Sequence, residues 1–554
     1  MRKFIRVSGY VLLFFILVFV ISAITLNVYF NKKIVENAKE QISKATHNEY
    51  ALSLDGLSIN LFNNTITIKN LTIAPSKIET HSKAQYVFKA KVLRIIGFSI
   101  LSYLKKHDLL IDRVEFEEPQ IAIFQGYERL PKKNKDSPEK NFSLYTAFSK
   151  TLNSVSIGYI DIMNSRFNIY KNGTDSSSVF STNNNSISIK NFTVNSETDK
   201  KNRLFFAEKF EVVMNTFSYN FGSGLYTLFG KRLYASYVDS TLIVDSLKLV
   251  PNFSKKEFAD AAGHQISRVK IISSKVSFQK MDVKLFFEYN WLVIHKVDIA
   301  GCFIDVYRDN SLPLKHIVRP CIQAILKGLP FFVAVDSIEM KNGEAVYEDL
   351  NPDLISTGKI SINKISAIIT GVQNDTSSYS KKSSIKAKFD GYFMNKGKFI
   401  ETFTFPLNTT NEFFYCSGSL TNMPMTAFNP MIQRTKHISI KSGQLDKASF
   451  SFVANENSSN GKMKFMYHDL KIEPMNKSEE KVGLIAKLKK FLLNKLIIKD
   501  SNPGKNGLVR VSKIHAEHNP YRFFPYYSIQ SILSGIAPAI EGKKMVRRIQ
   551  KKHN

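Results

Sequence analysis

Cysteine is nearly absent from this 554-residue chain: Cys302, Cys321 and Cys416 are all it has. They are odd in number, far apart and never paired as C-x-x-C, which argues against a disulfide framework or a thiolate zinc site. A single Cys302–Cys321 bridge and two buried free thiols both remain open readings. Tryptophan occurs once, at Trp291, where it opens a strand pattern and reads as a packing residue. The chain carries no G-x-S-x-G, H-E-x-x-H or G-x-x-x-x-G-K-[ST], and no G-x-G-x-x-G after a strand. His515 and His518 are three apart but have no acidic or cysteine ligand nearby, so they read as a surface pair. Glu115 and Glu117 alternate with Val114 and Phe116 and therefore point to solvent. We expect no catalytic residues, no metal site, no cofactor and no enzymatic activity.

Acidic residues are also scarce, 47 against 77 Lys and Arg, which leaves a formal charge of +30. A basic surface attracts anionic lipid headgroups or nucleic acid. Lysine is equally the usual occupant of solvent faces and exposed sheet edges. No basic stripe with interleaved aromatics, zinc knuckle or helix-turn-helix is present, so nucleic acid is not expected as a partner. Only one long uncharged apolar run exists, residues 7–30. It is long enough to cross a bilayer core of ~30 Å. Arg2, Lys3 and Arg6 before it favour a cytoplasmic N-terminus at residues 1–6. A retained anchor is the reading adopted; a cleaved signal peptide ending near Ala23 is the rival.

What the chain does have is a repeated spacing: apolar, skip one, apolar, skip two, apolar, skip one, apolar. It occurs at Leu52/Leu54/Leu57/Ile59, Ile66/Ile68/Leu71/Ile73, Leu109/Ile111/Val114/Phe116, Val155/Ile157/Ile160/Ile162 and Ile187/Ile189/Phe192/Val194. It returns at Leu242/Val244/Leu247/Leu249, Leu292/Ile294/Val297/Ile299, Val333/Val335/Ile338/Met340, Ile360/Ile362/Ile365/Ala367 and Phe465/Tyr467/Leu470/Ile472. On a helix these offsets scatter over opposed sides. On a strand each step of two keeps one face, and the step of three fits an extra residue, a bulge or a tight turn. The skipped pairs are rich in Asp, Asn, Gly and Lys, residues that suit such a backbone.

A coarser repeat overlies this one. Leu109–Phe124 aligns with Leu292–Tyr307 at an offset of 183, and Val155–Ile169 with Val333–Tyr347 at 178, with Asn164 over Asn342. Internal duplication is the reading adopted; chance agreement of alternating strands is its rival. Helical patterns are expected at residues 31–48, a stalk, at Val482–Leu493, and along Ile529/Ile532/Leu533/Ile536, ending near Pro538. The last stripe reads as a cap on an open sheet or, with the basic tail of Lys543, Lys544, Arg547, Arg548, Lys551 and Lys552, as a membrane-docking element.

The segment Val92–Phe124, with its Pro119, resembles the N-terminal unit of the AsmA-like superfamily of membrane-anchored envelope proteins. Leu420–Ile472 is similar to its C-terminal unit through Asn429-Pro430, Ser442-Gly443, Leu445 and Tyr467…Leu470. Phe523-Phe524…Ile532-Leu533…Gly535 resembles the ending of a related branch. The resemblance implies an inner-membrane, single-pass protein of a Gram-negative envelope, its bulk periplasmic, supporting outer-membrane homeostasis. It also implies phospholipid as partner, as for the longer lipid-transporting relatives.

The expected fold is mainly β: a long antiparallel, repeat-built curved sheet forming an open groove, with a few short helices. Its regions would be residues 49–350, with copies at about 92–170 and 275–350, then 351–475, then helices, a strand and the tail at 476–554. One oily face needs a covering layer; if it curls instead, acyl chains would line Ile66, Ile68, Leu109, Ile111, Val155, Ile157, Leu242, Val244, Leu292, Ile294, Val333 and Val335. The alternative is a scaffold with a closed core that assists assembly of outer-membrane or other envelope proteins.

Overall fold

The computed structural model describes residues 31–540 apart from 61, 77–83, 126–144, 147–148, 150, 172–177, 201–205, 222–223, 352–355, 381, 410, 437 and 475–497. The apolar run 7–30, the helix expected at Val482–Leu493 and the basic tail lie outside these residues. No described helix is long and apolar enough to cross a membrane.

The chain is mainly β and divides into two compact units, Met1–Leu247 and Lys248–Asn554. In the first, β1 (Tyr50–Ser53) and β2 (Gly56–Asn60) both pair with β3 (Thr65–Pro75), and β3 pairs with β4 (Gln85–Ile96). Two short strands, β5 (Asp108–Glu117) and β6 (Gln120–Phe124), lie end to end between β4 and β7 (Ser154–Tyr170). The ladder continues through β8 (Ser178–Val194) and β9 (Lys209–Phe221) to β10 (Tyr226–Ser236). Strand β11 (Thr241–Pro251) runs through the division.

The second unit opens with β12 (Ser267–Met281), to which β13 (Trp291–Ala300) and β14 (Phe303–Asp309) are paired end to end. Both then pair with β15 (Phe332–Asn351). An unbroken antiparallel meander follows: β16 (Ser356–Gln373), β17 (Ser384–Phe393), β18 (Gly397–Pro406), β19 (Phe413–Pro424), β20 (Ile438–Asn455), β21 (Ser458–Pro474) and β22 (Val511–Glu517).

The expectation of a purely antiparallel sheet is corrected at two places. β5 and β6 run parallel to β7, and β13 and β14 parallel to β15. Long connections, residues 125–153 and 310–331, supply the crossover that parallel strands require.

Every copy of the repeated spacing meets a left-handed backbone residue at its skipped pair. In five copies it is the second skipped residue itself: Asn70, Asn191, Ser246, Lys364 and Asp469. In the other five it faces the pair from the neighbouring strand: Asn70 faces Asp55, Gly97 faces Asp112, Asn191 faces Gly158, Lys280 faces His295 and Gly371 faces Asp336. An extra residue is not the general device. Pairing runs through Ile157↔Phe192 and Tyr159↔Lys190 without a shift, so both strands change face together. True bulges occur beside Lys364 and around Ser442.

The two halves also repeat each other in backbone detail. The short helices α2 (Ile100–Lys106) and α5 (Val283–Tyr289) stand 183 residues apart, capped by the side chains of Ser99 and Asp282. Both end on left-handed residues, His107 and Asn290. Gly97 and Lys280, Glu118 and Gly301, and Asn164 and Asn342 are further left-handed equivalents. Even the ion pair across the parallel strands recurs, Arg113–Asp161 in one copy and Lys296–Glu339 in the other. Chance alternation of strands would reproduce none of these.

Among the other helices, α1 (Asn31–Ala45), the expected stalk, packs Ala38 and Ile42 onto the oily face of the first unit. α3 (Ser196–Lys200) and α4 (Lys255–Ala262) are short connectors. In the second unit α6 (Ile322–Lys327), α7 (Asn429–Lys436) and α8 (Phe524–Ile540) follow. Asn429 holds α7 to β20 by exchanging two 2.8 Å bonds with the backbone of Ile440.

Candidate functional site

The twelve residues expected to line a groove are mostly enclosed. Ile66, Ile68, Leu109, Ile111, Val155, Ile157, Val244, Ile294, Val333 and Val335 are between 0% and 7% exposed, while Leu242 and Leu292 are half-buried. The first six belong to a core that α1 residues, Ile100 and Tyr103 of α2, Tyr145 and Phe206 fill. That stretch of the sheet is a packed interior: the spacing marks an oily face, and helices from the same unit cover it.

Open apolar surface lies on α8 instead. The helix turns Tyr527, Ser528, Ser531, Gly535 and Ala539 inward. Ser531 Oγ donates to Ser459 Oγ at 2.7 Å, and Ser512 Oγ to the Gly535 carbonyl at 2.6 Å. A Cβ at Gly535 would come within 2.8 Å of Ile514, so only glycine permits this approach. Arg510 closes the far end of the helix on the Ala539 carbonyl. Two of its large aliphatics turn away, Ile529 and Leu533, each 50% exposed, while Ile532, Ile536 and Ile540 pack against the core. The expected capping stripe is therefore split, with Ile532 and Ile536 flanking the core and Ile529 and Leu533 left in solvent. No residue of α8 is charged.

At the N-terminal end of α8 the charge changes sharply. Residues 310–321 and 518–526 are joined there by an Arg319 N–H bond to the Pro520 carbonyl, 2.7 Å, and by stacking of His316 on Tyr521, 4.7 Å apart. The Arg319 guanidinium lies 4.9 Å from the ring of Phe523, itself 53% exposed. Arg308 from β14 and Arg522 approach the ring of Tyr526 at 5.6 Å and 5.4 Å. Ile317 and Val318 are exposed beside them in sequence. Burial, and then Arg308 beside it, lower the pKa of Arg522 from its ordinary value. Asp349, parallel-paired with Arg308, is raised by burial, against the lowering effect of its bond from Asn310 and of the two arginines. Sequence reasoning missed this cluster because its parts are far apart along the chain. Its one available signal was arginine itself, scarce here beside lysine.

The remaining candidates disperse. His515 Nδ1 meets Asn460 at 2.9 Å and His518 Nδ1 meets the Glu456 carbonyl at 2.9 Å, so the pair does not converge. No group of three metal-ligating side chains occurs among the described residues. Glu115 and Glu117 pair with Arg94 and Glu118 with Lys91. Trp291 is partly exposed and rests on Phe332, 5.1 Å between rings. All three cysteines are free thiols. Burial raises each of them, Cys321 to about 11, the opposite of an activated nucleophile. No family model and no curated protein matches this chain.

Proposed function

We propose that this is a non-enzymatic, membrane-anchored envelope protein that handles anionic phospholipid, consistent with its resemblance to AsmA-like proteins. The observation that carries the reading is α8: an uncharged helix that packs Tyr527, Ile532 and Ile536 together with small polar residues onto the core and still leaves Ile529 and Leu533 half exposed on its outer side. A helix built this way gains stability when its outer face enters an apolar phase. Half-burying two such side chains contributes about 2 kcal/mol, at ~25 cal/mol per Å². The arginines at its N-terminal end complement phosphate at the headgroup level, and the net charge of +30 acts in the same direction. Lipid is favoured over a protein partner because aliphatic surface on α8 meets cationic side chains at its N-terminal end. The covered oily face of the first unit counts against acyl chains running along that stretch, so contact is assigned to α8.

The test reconstitutes the full chain in donor vesicles and follows fluorescent phosphatidylglycerol moving to acceptor vesicles. Ile529→Asp with Leu533→Asp should slow transfer at least about tenfold, while Ile529→Ser with Leu533→Ser and a melting profile read in parallel separate lost lipid contact from lost stability. Equal transfer by wild type and double variant refutes the reading. Transfer-independent capture of an outer-membrane protein, lost in the same variant, would favour the scaffold alternative.

A further inference from the structure

We infer that Arg308 and Arg522 form a binding site for a phosphate-class oxyanion at the N-terminal end of α8. This deepens the proposed function and rests on it only for the identity of the molecule that carries the anion.

Two guanidinium groups against one aromatic ring repel each other unless an anion stands between or beside them. Here Arg308 Nε and Arg522 Nη1 are enclosed without a hydrogen-bond partner. Leaving a buried charged donor unsatisfied is costly, and native structures rarely tolerate it without a reason. The carboxylate at hand, Asp349, does not resolve it: it accepts from Asn310 Nδ2, and burial disfavours its charged form. Asn310 is in turn fixed by Gln265 Nε2, 2.6 Å from its Oδ1, and by its own bond to the Leu350 carbonyl, 3.2 Å. One carboxylate against two arginines leaves a single positive charge uncompensated. A tetrahedral oxyanion has enough acceptor oxygens for two guanidinium groups, and arginine's planar fork suits it better than lysine's point charge. The choice of arginine at both positions, in a chain that elsewhere prefers lysine, agrees with that geometry. Tyr347, whose hydroxyl is raised chiefly by burial and is met by a side-chain bond from Arg308, and Tyr526 lie beside the two guanidinium groups.

The test titrates inorganic phosphate into the full chain in neutral detergent by calorimetry, with chloride at matched ionic strength as reference. Wild type should bind phosphate; Arg308→Gln and Arg522→Gln should each weaken it at least about tenfold. Asp349→Asn, which removes the competing carboxylate, should tighten binding about threefold, an effect no purely structural role predicts. Should Arg308→Gln fail to fold, Arg522→Lys carries the test, keeping charge but losing the fork. Unchanged affinity in the arginine variants, or no binding by wild type, overturns the site. Competition separates the sources: if phosphatidylglycerol vesicles displace phosphate, and phosphatidylcholine vesicles do not, the anion is a lipid headgroup. If phosphate binds and neither vesicle competes, the site stands as one for free phosphate and the lipid-handling function falls.

Discussion

Replacing Glu401 by glutamine should remove a pH dependence built into the C-terminal half of the chain. Glu401 sits on β18 between Phe399 and Phe403, two residues from each, so all three share one face of the sheet. Phe403 belongs to the core, and Gly418, the partner of Glu401 on β19, leaves its space to the ring of Phe450. Cys416 Sγ donates to Glu401 Oε1 at 3.4 Å and lies 4.0 Å from Ser528 Oγ of α8. Burial lifts the carboxyl to about 7 from an ordinary 4.5, the thiol contact opposing only weakly. Below pH 4.5 folded and unfolded chains both hold the proton, and the full stability is present. Between pH 4.5 and 7 only the unfolded chain releases it, so stability falls as pH rises and levels off above 7. The gap between those two values amounts to about 3 kcal/mol. With a urea slope of about 3 kcal/mol/M, the wild-type midpoint should drop by about 1 M from pH 4.5 to 7.5. Trp291, the only tryptophan, reports on this half by fluorescence. In Glu401→Gln the midpoint should depend on pH less by that amount. Wild type and variant running parallel across the window would show that water reaches the carboxyl and refute the reasoning.

Two further outcomes follow from the fold. Leu93→Ala empties a fully buried position at the centre of the first core and should cost about 3 kcal/mol in urea unfolding, with little relaxation expected in a packed sheet. Asn342 is exposed and left-handed, with φ of 54°, so Asn342→Val should cost about 1–2 kcal/mol whereas Asn342→Gly should stay near wild type in the same assay.

How much of this was legible depends on range along the chain. The spacing of apolar residues and the Asn, Asp and Gly at the skipped pairs are local, and five copies carry a left-handed residue there, such as Asn70 or Asn191. The repeat-like strand architecture was legible for the same reason, and His107 and Asn290 extend the repeat to helix ends that share no side-chain type. The parallel pairing of β5 with β7 was not, because alternation looks alike in both directions and only the length of the intervening segment hints at a crossover. Nor could an oily face announce its cover. Ile66 and Ile68 carry the same pattern whether they meet lipid or Ile42 of α1. The cluster of Arg308 with Arg522 needed the fold itself, since the choice of arginine over lysine was the one local signal and does not bring the two together.

The shared level at which neighbouring strands reverse faces works as a crease. Inserting one residue into a regular ribbon turns every later side chain inside out. Here the damage has a natural stopping place, because the left-handed positions can absorb or return the odd residue before the next row of Ile and Val is reached. A protein patterned in this way can tolerate insertions and deletions within its strands more readily than an ordinary barrel or sandwich.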